Sequence, residues 1–411
     1  MEKIYLLYLN DENTLIGKLF SNIDGTREVY SFEYDKNFIN KYKDFYLGPD
    51  VFSYLGRQYS NEKLLFGFVS DLMPDRWGRA LIERSERIKS KKVNGKIKSL
   101  HEIDYLVNTL DISRMGAIRI KEENGNEFLA ANSQNIPPYI SLRKLEQASL
   151  EYEDDIYNDK LIEILLAPGS SLGGARPKAN IYDAKGELYI AKFPSKKDEY
   201  DVGLFEKVVN NLARLCNINV PDSFLEEKKN KYGSIYLSKR FDRENKERIH
   251  YASLMTLIGA SDDDKEKHSY LEIFDIINRL SKEPKKDKEE LFRRIIFNIL
   301  INNCDDHLRN HGFIYKNNSW SLAPAFDVNI SIDKSIHTLK FVSDDTSDIS
   351  NIYDVGKYLE YSSDYIDNQI RTISTIINNN FEKLARKYKA KKSEIKIMKK
   401  VINQFSESYN N

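Results

Sequence analysis

The period of the hydrophobic pattern changes along this chain, and that change constrains the fold more than any other feature of the sequence. Near the start, Tyr30, Phe32 and Tyr34 alternate with Ser31 and Glu33, the period-two signature of a half-buried strand. Ile4–Leu9 and Leu15–Phe20 read as two further strands around a polar turn. From Tyr251 onward the pattern is mainly helical. Leu291–Ile301 forms a strongly apolar helix that stops just before Asn302-Asn303-Cys304-Asp305-Asp306, and the last fifty or so residues are also helical. A β-rich region followed by a larger helical lobe places the chain in the α+β class, with two lobes.

Between these extremes, Leu64, Leu65, Phe68, Val69 and Leu72 fall near helical spacing until Met73-Pro74-Asp75 interrupts, and Pro74 fits the first turn of a helix over Asp75–Arg87. Lys121–Pro138, with its polar cluster and Pro137-Pro138, is the best candidate linker. Leu142–Tyr152 reads as a helix, and apolar Leu161–Leu166 then leads into a loop that begins at Pro168. Ala179–Tyr182, Leu188–Phe193 and Gly233–Leu237 read as strands, and Phe205–Leu215 as a helix. The expected units are an N-terminal subdomain over 1–135, a second unit with the Gly-rich loop over 136–245, and a helical lobe over 246–411.

Composition narrows the function classes. The 411 residues carry 63 basic and 63 acidic side chains, and a formal net charge of zero argues against a dedicated nucleic-acid binder. Cys216 and Cys304 are the two cysteines, too few for a disulfide framework or a cysteine-based zinc site. No stretch approaches the roughly 18 apolar residues of a membrane span. The initial Ile4–Leu9 run is too short and too quickly acidic for a signal peptide, so the expected location is cytoplasmic. The lysines from Lys383 to Lys400 read as a solvated helix face.

The chemistry-bearing residues fall in one order. The loop Gly169–Gly174 precedes a strand carrying Arg176-Pro177-Lys178, and glycines let backbone N–H groups approach phosphate oxygens closely. No Gly-Lys-Ser/Thr opens a helix after it, so it is not a Walker A loop. Lys192 sits in the apolar strand Leu188–Phe193, where a lysine must reach an edge or meet a negative partner, and Glu206 in the next helix is the candidate. Asp305 and Asn310, five residues apart after an apolar helix, match the spacing of a kinase catalytic loop. In such a loop the Asp takes the acceptor hydroxyl's proton and the Asn holds magnesium. The spacing selects Asp305 over Asp306. Asp327, which ends the apolar segment Leu322–Asp327, stands where the principal magnesium carboxylate belongs. Taken singly, each residue reads as an ordinary turn, an edge lysine or a capping carboxylate; taken in order they favour a kinase. His307 and His311 lack a nearby cysteine pair, so they make a poor zinc site, and His307 is expected to be structural.

These motifs resemble the HipA family of toxin kinases. The resemblance rests on Ser171–Ala179, Ala191–Pro194, Arg240–Arg243, Asn303–Phe313 and Leu322–Asp327, in that order, together with Leu72–Arg79 and Asp111–Ala117 in the first part of the chain. It implies a bilobal protein-kinase-like fold that binds ATP and magnesium. It also implies an ATP site of Ser171, Leu172, Gly173, Gly174, Ala175, Lys178, Lys192, Lys239, Arg240, Phe241, His307, Asn310 and Asp327. Within it Lys192 contacts phosphates, Asp305 is the base, Asn310 and Asp327 hold magnesium, and Ser238–Phe241 is the hinge strand facing adenine. The resemblance further implies autophosphorylation of Ser171 (or Ser170), which switches the kinase off. Its implied partners are a HipB-type DNA-binding antitoxin, with DNA reached only through it, and in some members glutamyl-tRNA synthetase as substrate. Two other readings stand beside it: a kinase-fold phosphotransferase for a small molecule, and a kinase-like scaffold that acts as co-repressor with its antitoxin.

Overall fold

The computed structural model describes the chain except for residues 1, 61–62, 93–94, 96–98, 132–135, 155–157, 170–175, 246, 262–263, 265–266 and 411. The N-terminal part is a five-stranded antiparallel sheet in the spatial order Gln58–Tyr59, Arg27–Tyr34, Leu15–Asp24, Glu2–Leu9, Ile118–Glu122. Tyr30, Phe32 and Tyr34 are 1%, 0% and 6% exposed, as their alternation predicts. The helical zone expected over 64–72 shrinks to Gly67–Ser70. Tight docking explains this: the Gly67 N–H donates to Asp50 Oδ2 at 2.7 Å, and a Cβ there would lie 3.2 Å from the Thr256 backbone.

A second antiparallel sheet, ordered Lys178–Tyr182, Leu188–Lys192, Ile235–Lys239, Ser223–Glu226, is backed by the helix Val202–Leu215. Asp201 caps that helix, accepting from the Leu204 N–H, and also accepts from Ser234 beside the third strand. The long helix Arg76–Lys92 of the N-terminal part packs on Asp159–Gly169. That second helix runs through Pro168 and Gly169, which sequence reading assigned to a loop. The reason is close packing: a Cβ on Gly169 would lie 2.9 Å from both Leu81 Cδ1 and Trp77 Nε1. The expected linker is likewise built into the fold. Lys121 and Glu122 finish a strand, Phe128 and Ile136 are buried, and the Tyr182 N–H donates to the Pro137 carbonyl.

The C-terminal lobe surrounds the helix Pro284–Ile301, with Tyr270–Leu280, Ser350–Tyr358, Ser363–Lys387 and Lys392–Asn410 around it. Pro284 sits in the first turn, where a missing N–H costs nothing. From Leu291 to Ile301 every side chain except that of Arg293 is buried. Asn302 ends the helix in the left-handed conformation at φ 56°. This lobe is not purely helical after Tyr251. His250–Ser253, Gly312–Lys316 and Ser319–Leu322 make a three-stranded antiparallel sheet, whose hairpin turns at Asn317 and Asn318, both at positive φ. No helix among the described residues is long and apolar enough to cross a membrane.

Candidate active site

Two lysines stand side by side on one sheet face. Lys178 and Lys192 are direct cross-strand partners, and Lys192 in turn opposes Tyr236. Like charges at opposed positions repel, so this face requires carboxylates nearby. Two converge on Lys192 Nζ: Glu206 Oε1 at 2.5 Å, from the helix Val202–Leu215, and Asp327 Oδ1 at 2.6 Å, from the segment after the strand Ser319–Leu322. Lys178 is 8% exposed and Glu206 5%.

The electrostatics follow from that geometry. Burial would lower the Lys192 ammonium, but Asp327 and Glu206 together hold it above the ordinary lysine value, so it stays charged. The Lys192 charge holds the Asp327 carboxyl well below the usual carboxylate range, against the effect of burial. Burial pushes Glu206 up despite Lys192, and pulls the Lys178 ammonium down despite Asp327. Asp327 itself adopts φ 57°, a left-handed backbone that an aspartate keeps only where its surroundings hold it.

A cavity of about 1010 Å³ opens over these groups. Lys178, Lys192, Glu206, Lys239, Arg240, Phe241, His307, Asn310 and Asp327 all line it, so most of the residues singled out by sequence are brought together. Asn310 lies at the end of the 3₁₀ turn Leu308–Asn310, and its Nδ2 donates to the Asp305 carbonyl at 2.9 Å. That bond fixes the amide, and among the described residues Oδ1 accepts no hydrogen bond. Both hydrogen bonds to Asp327 fall on Oδ1, and among the described residues Oδ2 accepts none. Among the described residues no group of three or more His, Cys, Asp or Glu side chains converges on a metal position. A hard cation here would therefore rest on Asp327, Asn310 and ligand oxygens, a donor set magnesium accepts.

Asp305 is exposed, stands 3.5 Å from Lys334 Nζ, and lies outside the cavity lining. Asp306 is 2% exposed and accepts from the Tyr270 hydroxyl at 2.5 Å and the Thr338 N–H at 3.2 Å, with His337 Nδ1 at 3.3 Å. Two neighbouring aspartates thus face opposite environments, one solvent and one core.

The expected hinge strand stops at Lys239, which pairs with Glu187 at 2.7 Å. Arg240 points away from a simple ligand role. It donates to both Asp242 oxygens, to the carbonyls of Ser113 and Arg114, and to Asn180 Oδ1. Asp242 also accepts from the Gly116 N–H at 2.7 Å and from Arg243 at 2.6 Å, so Arg240–Arg243 docks the N-terminal part against the second sheet. The Phe241 ring lies 5.4 Å from Phe326 and 5.8 Å from Tyr251. Ser170, Ser171, Leu172, Gly173, Gly174 and Ala175 lie outside the described residues.

Sequence reading missed several lining residues. Ile190 and Tyr236 could have been found, since strand alternation and pairing put them on the face of Lys192. Tyr251 and Phe326 carried no such signal. Met73, Asp75 and Arg76 bring the N-terminal part into the same cavity, and the Trp77 indole N–H donates to the Lys178 carbonyl at 3.0 Å.

Comparison with known proteins agrees with this picture. A family model described as the HipA-like C-terminal domain matches residues 170–409, and one for the HipA N-terminal domain matches residues 7–100. A "Putative kinase" of Haemophilus influenzae is 29% identical over 180 residues, covering 39% of this chain and 52% of that protein. The Serine/threonine-protein kinase CtkA of Helicobacter pylori is 28% identical over 169 residues, covering 39% of this chain and 51% of that one. The chain thus spans about half the length of these curated relatives. Among solved structures, a chain of the Shewanella oneidensis MR-1 toxin–antitoxin complex of HipA, HipB and its operator DNA matches with a TM-score of 0.67 at 15% identity. That match covers 97% of this chain and 95% of the other, and it shows a shared bilobal kinase-like fold.

Proposed function

The chain belongs to the HipA family, and from that premise we propose that it is an ATP-dependent protein serine/threonine kinase, the toxin of a toxin–antitoxin pair. The observation that carries the reading is the pair of opposed lysines, Lys178 and Lys192, on the floor of a large cavity with Asp327 and Asn310 beside them. Two cations on one buried face suit the phosphates of a nucleotide, and the neighbouring oxygen donors suit a hard divalent ion.

Each residue then has a role. Lys192, held by Glu206, and Lys178 attract the phosphates, while Lys239, Arg240 and Phe241 border the adenine end and His307 also contacts the nucleotide. Asn310 and Asp327 would hold magnesium, which when bound neutralises charge on the phosphates. Asp305, exposed beside the site, accepts the proton of an incoming serine or threonine hydroxyl, which suits an acceptor as large as a protein. Autophosphorylation at Ser171 or Ser170 as an off-switch, a HipB-like antitoxin as partner, glutamyl-tRNA synthetase as acceptor, growth arrest leading to persistence, and a cytoplasmic location are parts of the same proposal.

The test is transfer of label from γ-labelled ATP, with proteins and small metabolites separated afterwards. Label in protein serine or threonine that disappears in Asp305→Asn supports the reading. Label confined to small molecules, or none at all, overturns it.

A further inference from the structure

Behind the Asp305–Asn310 loop is a small pocket, polar on one side, that the proposed chemistry leaves unused. His311 follows Asn310 directly and is 5% exposed, yet among the described residues neither Nδ1 nor Nε2 makes a hydrogen bond of full geometry, although the Asp306 backbone acts on the ring. Its ring packs edge-on against Tyr270, with centroids 5.5 Å apart. A neutral buried imidazole presents one donor and one acceptor, and such groups in folded proteins are almost always paired with protein or ordered water. Next to the ring is a cavity of about 20 Å³ with a mixed lining: Arg294, Asn298, Asn303, Asp306, Asn310 and Asp327 on the polar side, and apolar residues such as Phe297 and Val328 on the other. Roughly 10–15 Å³ is enough to seat one water, provided the walls are polar.

The other wall groups are already fixed in place. Arg294 donates to Glu290 and to the Ala323 carbonyl, Asn303 Nδ2 donates to Asn298 Oδ1 at 3.1 Å, and Asp306 accepts from Tyr270 and Thr338. On one side of a space the size of one solvent molecule, fixed polar side chains face the His311 ring. Asn310 and Asp327 line this pocket and the large cavity alike.

We propose that the pocket is a site for one buried water bound to a ring nitrogen of His311. Through it His311 is a positioning residue that steadies the side chains of Asn310 and Asp327. The second half of this inference rests on the proposed role of those two residues toward magnesium. The φ of 57° at Asp327 gives such steadying a purpose, since a residue in that conformation has to be held from several sides.

A crystal structure of the full chain without nucleotide or metal tests the site. The expected result is one ordered solvent peak within about 3 Å of a His311 ring nitrogen and of a polar atom of Asn303, Asp306, Asn310 or Asp327. A pocket without solvent overturns the proposal, and this readout needs no variant to fold. The positioning role is tested by the magnesium concentration that gives half-maximal binding of a fluorescent ATP analogue. His311→Leu, which cannot hold the water, should raise it about tenfold, at the low end for residues behind a metal's ligands, and His311→Gln should restore most of it. Equal behaviour of the two variants overturns the positioning role. Analogue binding that ignores magnesium in the wild type overturns that role together with the proposed function, while the solvent peak decides the water site by itself.

Discussion

Replacing Lys192 by methionine should destabilise the protein in a strongly pH-dependent way. The ammonium lies 2.5 Å from Glu206 and 2.6 Å from Asp327, and Glu206 is 5% exposed. Without Lys192, Glu206 can keep its charge or take up a proton. Keeping an unpaired buried charge costs about 3–5 kcal/mol. Taking up a proton costs about 1.4 kcal/mol for every pH unit above its ordinary value of 4.5. The cheaper route sets the penalty: about 3.4 kcal/mol at pH 7 and about 1.4 kcal/mol at pH 5.5. Burial already pushes Glu206 upward, and losing Lys192 raises it further. A carboxyl whose folded value is raised favours the fold fully below its unfolded value, and that contribution is lost as pH rises toward the folded value. The melting-temperature deficit of the variant should therefore grow from pH 5.5 to pH 7, reaching about 4 °C at roughly 1.2 °C per kcal/mol for a chain of this length. The double variant Lys192→Met, Glu206→Gln has no buried charge at that position and should recover most of the loss with little pH dependence. Scanning calorimetry across that pH range is the assay. A deficit of equal size at every pH, or a double variant no more stable than the single one, would show that the unpaired Glu206 carboxyl is not the source of the loss.

Three further outcomes are expected. Asp242 is fully buried between Arg240, Arg243 and the Gly116 N–H, so Asp242→Asn should cost about 3–5 kcal/mol in thermal unfolding. Burial opposes the charge there, but the two arginines hold the carboxyl far below its usual range, so its stabilisation is present above about pH 3.9 and lost as pH falls; the gap between wild type and variant should narrow in acid. Asp305→Asn, at an exposed position, should melt within about 0.5 kcal/mol of wild type and bind ATP without transferring phosphate, whereas Asp306→Asn should lose about 1–3 kcal/mol of stability, as calorimetry on the two would show. Lys178→Met should weaken fluorescent-nucleotide binding about tenfold or more, the worth of one charge-assisted contact to phosphate.

How much was legible in the sequence differs by kind of feature. Alternation in Tyr30–Tyr34 and the apolar run Leu291–Ile301 are direct readouts of burial, and both elements form where the pattern puts them. The convergence of Lys192, Glu206, Asn310 and Asp327 was legible because each sits at the end of, or within, a recognisable element. Glycine was misread at position 169, where it serves helix packing against Trp77 and Leu81. The docking contacts of Arg240 with Ser113 and Arg114 lie at long sequence separation, which one chain does not reveal. The same holds for the wall contributed by Met73, Asp75 and Arg76, and for the small sheet that interrupts the helical lobe. These depend on tertiary packing, which overrides local pattern.

In the proposed function Asp327, beside Lys192, serves phosphoryl transfer. The most direct measurement is the rate of γ-phosphate transfer from ATP by the wild type and by Asp327→Asn, at saturating nucleotide and across a magnesium titration. The wild type should show magnesium-dependent transfer and the variant a loss of about a hundredfold or more, since a metal ion supplies several kcal/mol to such a reaction. Asp327→Asn retaining more than about a tenth of wild-type activity would contradict it.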